Sequence, residues 1–376
     1  RTALFCWLYA CKNDGKFIFR LEDTDQKRIF EEAENKFISM LEWSGIKIDE
    51  GPQFGGNYGP YRQSERLDIY AKYTKLLLEE GNAYICFCSS ERLEKLRTDQ
   101  RRKGETPRYD GFCRNLSKSE VSRRIESGEE YVVRMKTPEV PETIILNDLI
   151  RGNVSIDTSQ SEDQVIVKSD GFPTYHLAVV IDDHLMKITH VVRGEEWLPS
   201  FPKHFLLYRY FGWDTPEFAH LPLILNSDRS KLSKRQGDVA VEDFRKNGYL
   251  PESLVNFVAM LGWSPQGNRE LFTLPELIRE FSFERVNKAG AVFDQEKLNW
   301  MNQQYIQKLK LNDLQQRLNP FIKKTPYEGK DHKNLKKIIE ILQPRLVKLS
   351  EIEGRLSLFF ENNLEPSSTE VLKVLR

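Results

Sequence analysis

Lys231-Leu232-Ser233-Lys234-Arg235 brings two lysines and a hydroxyl within five residues, directly after the strand-like run His220–Asn226. A lysine ammonium is a compact, flexible point charge and a serine hydroxyl donates a hydrogen bond. A polyphosphate needs both groups when negative charge moves onto a departing pyrophosphate. In a lysine-rich chain the same run also reads as a solvated turn.

Four other stretches carry chemistry. Phe19-Arg20-Leu21-Glu22-Asp23-Thr24-Asp25 sets Glu22 at the end of a predicted parallel strand, where ligands sit in open α/β sheets. Its three acids suit a substrate ammonium group or the cap of the next helix. Ser169–His176 is a turn leading to an aromatic ring and an imidazole, and Ile181-Asp182-Asp183-His184 adds paired carboxylates suited to a metal or to stabilising a loop. Val191-Val192-Arg193-Gly194-Glu195-Glu196-Trp197 ends a strand with a cation, two acids and an indole. There an arginine can hold a carboxylate bidentately, and Glu196 can accept from a ribose hydroxyl or an adenine amino group.

The elements that must position these groups follow from periodicity. Leu4, Phe5, Leu8 and Tyr9 recur at helical spacing, Lys16–Glu22 alternates like a strand, and Glu31–Trp43 and Arg66–Gly81 are amphipathic helices. That order predicts a parallel sheet covered by helices. Short strands at Tyr84–Phe87 and Tyr131–Lys136 and a charged helix at Glu91–Lys103 read as an insertion. The α/β rhythm then resumes at Gln164–Lys168 and Ile188–Val192, with a helix through Lys203–Phe211, and beyond Arg235 only helices follow.

At 376 residues, 39% hydrophobic and 30% charged, the chain is long enough for two to four globular units. No apolar run approaches a membrane span, so no membrane partner is expected. Net charge is zero, with 56 Lys+Arg against 56 Asp+Glu. Between Ile306 and Ser350, however, eleven Lys/Arg face four Asp/Glu, the footprint of an RNA-backbone surface or of a solvated helix face. Five cysteines without scaffold spacing point to a reducing compartment.

Leu21-Glu22-Asp23-Thr24-Asp25, Gly59-Pro60-Tyr61-Arg62-Gln63-Ser64-Glu65-Arg66, Pro173-Thr174-Tyr175-His176-Leu177, Arg193-Gly194-Glu195-Glu196-Trp197 and the basic loop together resemble glutamyl-tRNA synthetases of bacterial and organellar type. The resemblance continues through Leu261–Pro265 and Val292–Asn302, to about residue 310. It implies a Rossmann-like α/β class I catalytic domain (1–81 and 164–240) split by an acceptor-stem-binding insertion (82–163). A helical stem-contact domain (241–310) and an anticodon-binding domain (311–376) would follow. It further implies that ATP with Mg2+ activates L-glutamate, which then passes to tRNA(Glu), with tRNA(Gln) a second acceptor, on a monomeric enzyme. By the same analogy Glu22, Tyr175, His176, Leu177, Ala178, Val179 and Arg193 bind glutamate. Glu196, Trp197, Lys231, Leu232, Ser233, Lys234 and Arg235 would bind ATP, with Lys231, Ser233 and Lys234 acting on the leaving pyrophosphate.

Two departures qualify the resemblance. The family's first nucleotide signature precedes a segment like Arg1–Phe5, so the chain as given is expected to be truncated and inactive. Cys86-x-Cys88 and Cys113 have the spacing of a zinc knuckle found in some members, but Asn115 stands where the fourth ligand would be. No metal is therefore expected, and free cysteines are. A mitochondrial matrix location is expected, with a bacterial cytoplasm as the alternative. A tRNA-base glutamylating relative and a non-catalytic RNA-binding paralogue are the rival functions.

Overall fold

The computed structural model describes residues 1–24, 31–232, 240–328 and 332–360. Helix α1 (Thr2–Lys12) buries Leu4, Phe5, Trp7 and Leu8, the positions its periodicity singles out. They share a core with Ile38 and Leu41 of α2 (Glu31–Trp43), Ala219 and Leu221, and Trp263, Phe281 and Phe283 from further along the chain. The first helix is thereby fastened to both ends of the α/β region.

Lys16–Glu22, expected as a strand, forms only single parallel bridges, Ile18 to Glu50 and Leu21 to Arg62. Its backbone is nonetheless held: Phe19 N donates to Glu50 O (2.8 Å), Leu21 N to Tyr61 O (2.9 Å), and Gln63 N returns to Leu21 O (3.0 Å). Glu22 is thus placed by the Pro60–Gln63 segment rather than by a regular ladder.

Helix α3 (Leu67–Glu79) leads into β1 (Ala83–Cys86), and α4 (Ser90–Arg102) and α5 (Lys118–Glu126) come next, capped by Ser89 and Ser117. Strands β2 (Val132–Met135) and β5 (Val165–Val167) complete an antiparallel sheet in the order β1-β2-β5. Between them in sequence, β3 (Thr143–Asp148) and β4 (Gly152–Asp157) form a hairpin that joins a different, four-stranded sheet. Its other strands are β6 (His190–Gly194) and β7 (Glu217–Leu221), parallel and in the order β4-β3-β7-β6. The stretch 82–163 therefore contributes to both sheets, and the larger sheet is mixed rather than wholly parallel.

Helices α6 (Tyr175–Leu185) and α7 (Phe201–Tyr210) pack with α3 over the antiparallel sheet, burying Tyr70, Leu77, Val133, Ile166, Leu177 and Leu207 together. The run His220–Asn226 divides into β7 and β8 (Ile224–Leu225), which pairs in parallel with β9 (Ala291–Val292).

The helices after the basic loop are α8 (Val241–Lys246), α9 (Pro251–Met260), α10 (Leu274–Glu280), α11 (Gln295–Lys308), α12 (Leu311–Ile322), α13 (His332–Leu342), α14 (Ile352–Arg355) and α15 (Ser357–Phe360). Their ends are specified locally: Pro251 opens α9, Thr273 and Glu276 form a capping box on α10, and Asp294 caps α11. Asn302 on α11 is fully buried and satisfied, accepting from Leu250 N (2.9 Å) and donating to Val347 O (2.6 Å). On α13 Leu335, Ile338 and Ile339 are buried while Lys336 and Lys337 face solvent, so the basic surplus there is a surface property. Among the described residues no helix is long and apolar enough to cross a membrane.

Candidate active site

Arg193, next to the last residue of β6, is only 7% exposed and lies beside His204 of α7. Its Nε donates to His220 Nε2 (3.0 Å) and its Nη1 lies 3.1 Å from His204 Nδ1. Among the described residues, Nη2 is buried without a partner. Burial holds this guanidinium below its ordinary value, with Tyr175 opposing the shift. The Phe218 ring lies 5.4 Å from the guanidinium carbon.

Tyr175 opens α6, its ring 4.8 Å from that of Trp197. Burial pushes its phenol up to about 12, and the nearby Glu22 adds to the shift. His176 turns inward, its Nδ1 2.9 Å from His204 Nε2. Leu177 and Ala178 point into the core under α3 and α7, and Val179 is nearly buried with them. Of the expected pocket wall, Tyr175 is thus the residue that faces Arg193 and Trp197.

Glu22 lies 3.2 Å from Arg20 Nη2, while Arg20 Nη1 contacts Asp183 Oδ1 at 2.8 Å. Burial raises the Glu22 carboxyl above the usual range, and Arg20 works against it. The paired carboxylates lie within helix α6 rather than in a loop. Asp182 accepts from Arg66 Nε (2.7 Å), Gln63 Nε2 (3.0 Å) and Tyr70 Oη (2.8 Å). They are consumed by protein donors, and Asp23 likewise accepts from Ser64 N and Oγ. Glu22 remains the acid of that run turned toward Tyr175; Asp25 lies outside the described residues.

On the other side of Arg193, a cavity of about 390 Å3 is bounded by Arg1, Gly194, Glu196, Trp197, Lys231 and Leu232. Glu196 is 3.6 Å from Lys231 Nζ. Gly194 makes this possible: a Cβ there would meet Glu196 Cδ at 2.6 Å. Glu195 has a different task, accepting from Leu223 N (2.9 Å) and pairing with Arg151. Leu232 N donates to Ile224 O (2.9 Å), which fixes the start of the basic loop; Ser233, Lys234 and Arg235 lie outside the described residues.

A second cluster lies in the antiparallel unit. The sulfurs of Cys86, Cys88 and Cys113 are all within 4.8 Å of one another. The Tyr109 hydroxyl is 3.3 Å from Cys86 Sγ and 3.6 Å from Cys88 Sγ. A hydrogen bond with Cys113 lowers the Cys86 thiol to about 4, against the effect of burial, and Arg134 Nε also donates to Cys86 at 3.3 Å. Cys86, Cys88 and Cys113 are free, and the fold also brings an oxygen from position 109 to two of them.

Sequence reading assigned no chemistry to Tyr109 or to the groups around Arg193, namely Asp148, His204 and His220. Lone histidines and a tyrosine in a turn carry no periodic signal, and their partners are distant in the chain.

Three comparisons bear on this geometry. The family described as tRNA synthetases class I (E and Q), catalytic domain, matches residues 1–300. A glutamate–tRNA ligase of Alkaliphilus metalliredigens is 49% identical over 100% of this chain and 78% of its own length. That of Clostridioides difficile is 50% identical over 100% and 79%. The crystal structure of a glutamate–tRNA synthetase from Elizabethkingia anophelis superposes with a TM-score of 0.91 at 42% identity, covering 99% of this chain and 80% of that one.

Proposed function

The chain belongs to the glutamate–tRNA ligases among the class I synthetases, and on that premise we propose how its site divides the reaction among these side chains. The ligase reaction has two steps. A carboxylate oxygen of L-glutamate attacks the α-phosphate of ATP; the acyl–phosphate bond of glutamyl-adenylate forms as the bond to pyrophosphate breaks. A terminal ribose hydroxyl of tRNA(Glu) then attacks the acyl carbon, and AMP leaves as the ester forms. No covalent enzyme intermediate is needed, so catalysis is positioning plus electrostatics.

The observation that carries the assignment is the unpartnered, buried Nη2 of Arg193. A glutamate carboxylate supplies the acceptor that this nitrogen lacks and the negative charge that a desolvated guanidinium favours. Glu22 receives the substrate ammonium, and Tyr175 and Trp197 flank the aliphatic chain. Glu196 holds the adenosine side, and Lys231 offsets charge on the departing pyrophosphate. Ser233, Lys234 and Arg235 keep the phosphate-loop role assigned to them from the sequence. Class I synthetases in general use ATP with Mg2+, and the metal enters here as part of the nucleotide substrate.

Arg193→Gln tests the assignment. In aminoacylation by the full-length protein, the KM for glutamate should rise about tenfold or more. Affinity for tRNA should stay near its starting value. An unchanged KM for glutamate would remove Arg193 from the substrate site.

The cysteine cluster fits a structural zinc ion. Zn–S bonds of about 2.3 Å give tetrahedral edges of about 3.8 Å, and Cys88 and Cys113 Sγ are 3.6 Å apart. Cys86, Cys88, Cys113 and Tyr109 Oη would hold the ion, with Arg134 balancing charge from the second layer. The ion would tie β1 to the 109–113 turn.

The relatives named above are bacterial, which supports the bacterial cytoplasm over the mitochondrial location expected from sequence.

A further inference from the structure

We propose that His204 and His220 are positioning residues, a pair of neutral imidazoles that clamp two edges of the Arg193 guanidinium so that Nη2 alone is left for substrate. This rests on the assignment of Arg193 to a glutamate carboxylate.

A buried arginine is ordinarily matched with a carboxylate. Here the two acceptors among the described residues are ring nitrogens, His220 Nε2 at 3.0 Å and His204 Nδ1 at 3.1 Å. Arginine only donates, so each of those nitrogens must present a lone pair. The opposite nitrogens then carry the protons, and both find acceptors. His220 Nδ1 faces Asp148 Oδ2 at 2.6 Å, and His204 Nε2 faces His176 Nδ1 at 2.9 Å. Asp148 is itself engaged by the backbone N–H groups of Ile150 (3.0 Å), Arg151 (2.9 Å) and His220 (3.0 Å). Its charge fixes the His220 tautomer instead of neutralising Arg193. The other nearby carboxylate, Asp183, is paired with Arg20.

The result is a guanidinium oriented on two sides, whose positive charge no contacting carboxylate among the described residues cancels. An anionic group arriving at Nη2 gains charge attraction as well as a hydrogen bond, whereas a neutral amide gains only the hydrogen bond. Burial holds both histidines below their ordinary values, in keeping with neutral rings.

Amide substitutions separate this clamp from a packing role, because asparagine places its polar atoms near Nδ1 and glutamine near Nε2. At 220 the Arg193 contact is through Nε2, so His220→Gln keeps an acceptor that His220→Asn lacks. At 204 the contact is through Nδ1, and the order reverses. In aminoacylation by the full-length protein, the KM for glutamate should be about tenfold higher for His220→Asn than for His220→Gln. It should be higher by a similar factor for His204→Gln than for His204→Asn, with smaller changes in kcat. Should a histidine variant fail to fold, Asp148→Asn serves in its place. Its amide can donate to Nδ1, forcing a proton onto Nε2 opposite Arg193, and the KM should rise as in His220→Asn. The same amide being worse at both positions, or an unaffected KM in Asp148→Asn, overturns the clamp. If Arg193→Gln itself leaves the KM unchanged, the fault lies instead with the assignment of Arg193.

Discussion

Arg66 Nε approaches Asp182 Oδ1 at 2.7 Å with both side chains essentially excluded from solvent. This contact fastens the segment around Pro60–Arg66 to α6, the helix whose first turn carries Tyr175. Gln63 and Tyr70 donate to the same carboxylate, so its charge is met on three sides. Asp182→Ala would strand a buried guanidinium, a phenol and an amide, and should cost about 3–5 kcal/mol. A urea unfolding midpoint measures this; a loss under about 1 kcal/mol would show that the network relaxes around the gap.

Stability should also depend on pH through His176. Burial, reinforced by Lys203, lowers its folded value to about 4, against about 6.5 in an unfolded chain. With the folded value depressed, the unfolded state binds the extra proton first. The contribution is complete above about pH 6.5 and is lost as pH falls toward about 4, with a slope near 1.4 kcal/mol per pH unit. Asparagine at 176 keeps an acceptor toward His204 but does not titrate. The difference in Tm between wild type and His176→Asn should therefore change across that window and stay flat above it.

Gly194→Ala separates site geometry from fold. The backbone there has φ −68°, which any residue adopts, yet the new methyl would lie 2.6 Å from Glu196 Cδ. The flexible carboxylate must swing away from Lys231. Global stability should change by no more than about 0.5 kcal/mol. The KM for ATP should rise by about threefold or more. A large fall in Tm with unchanged ATP dependence would contradict the role given to Glu196.

Metal analysis of the purified protein addresses the cysteine cluster. About one zinc per chain is expected, with Cys113→Ser losing most of it and Tyr109→Phe binding more weakly while the fold persists. Full zinc retention by Tyr109→Phe would exclude the phenol as a ligand.

Much of the site was legible because its signals are local. Apolar spacing marked α1 and α2, and the strand-terminal Arg193-Gly194-Glu195-Glu196-Trp197 placed a cation beside acids at one turn. Short-range sterics, and the face of an element that must leave water, depend on neighbours in the chain. The pairing of polar groups across the core does not. Asp148, His176, Arg193, His204 and His220 come from five separate elements. Only the fold, which sets α7 and β7 beside β6, turns the ring nitrogens of His204 and His220 toward the Arg193 guanidinium. Tyr109 reaches the thiols of Cys86 and Cys88 in the same way, 21 positions from Cys88. The sequence alone determined the helices, their ends and the order of the chemical groups. Tertiary structure decided which of those groups are spent on each other and which, like Nη2 of Arg193, remain for a ligand, because burial makes each donor find an acceptor wherever the fold supplies one.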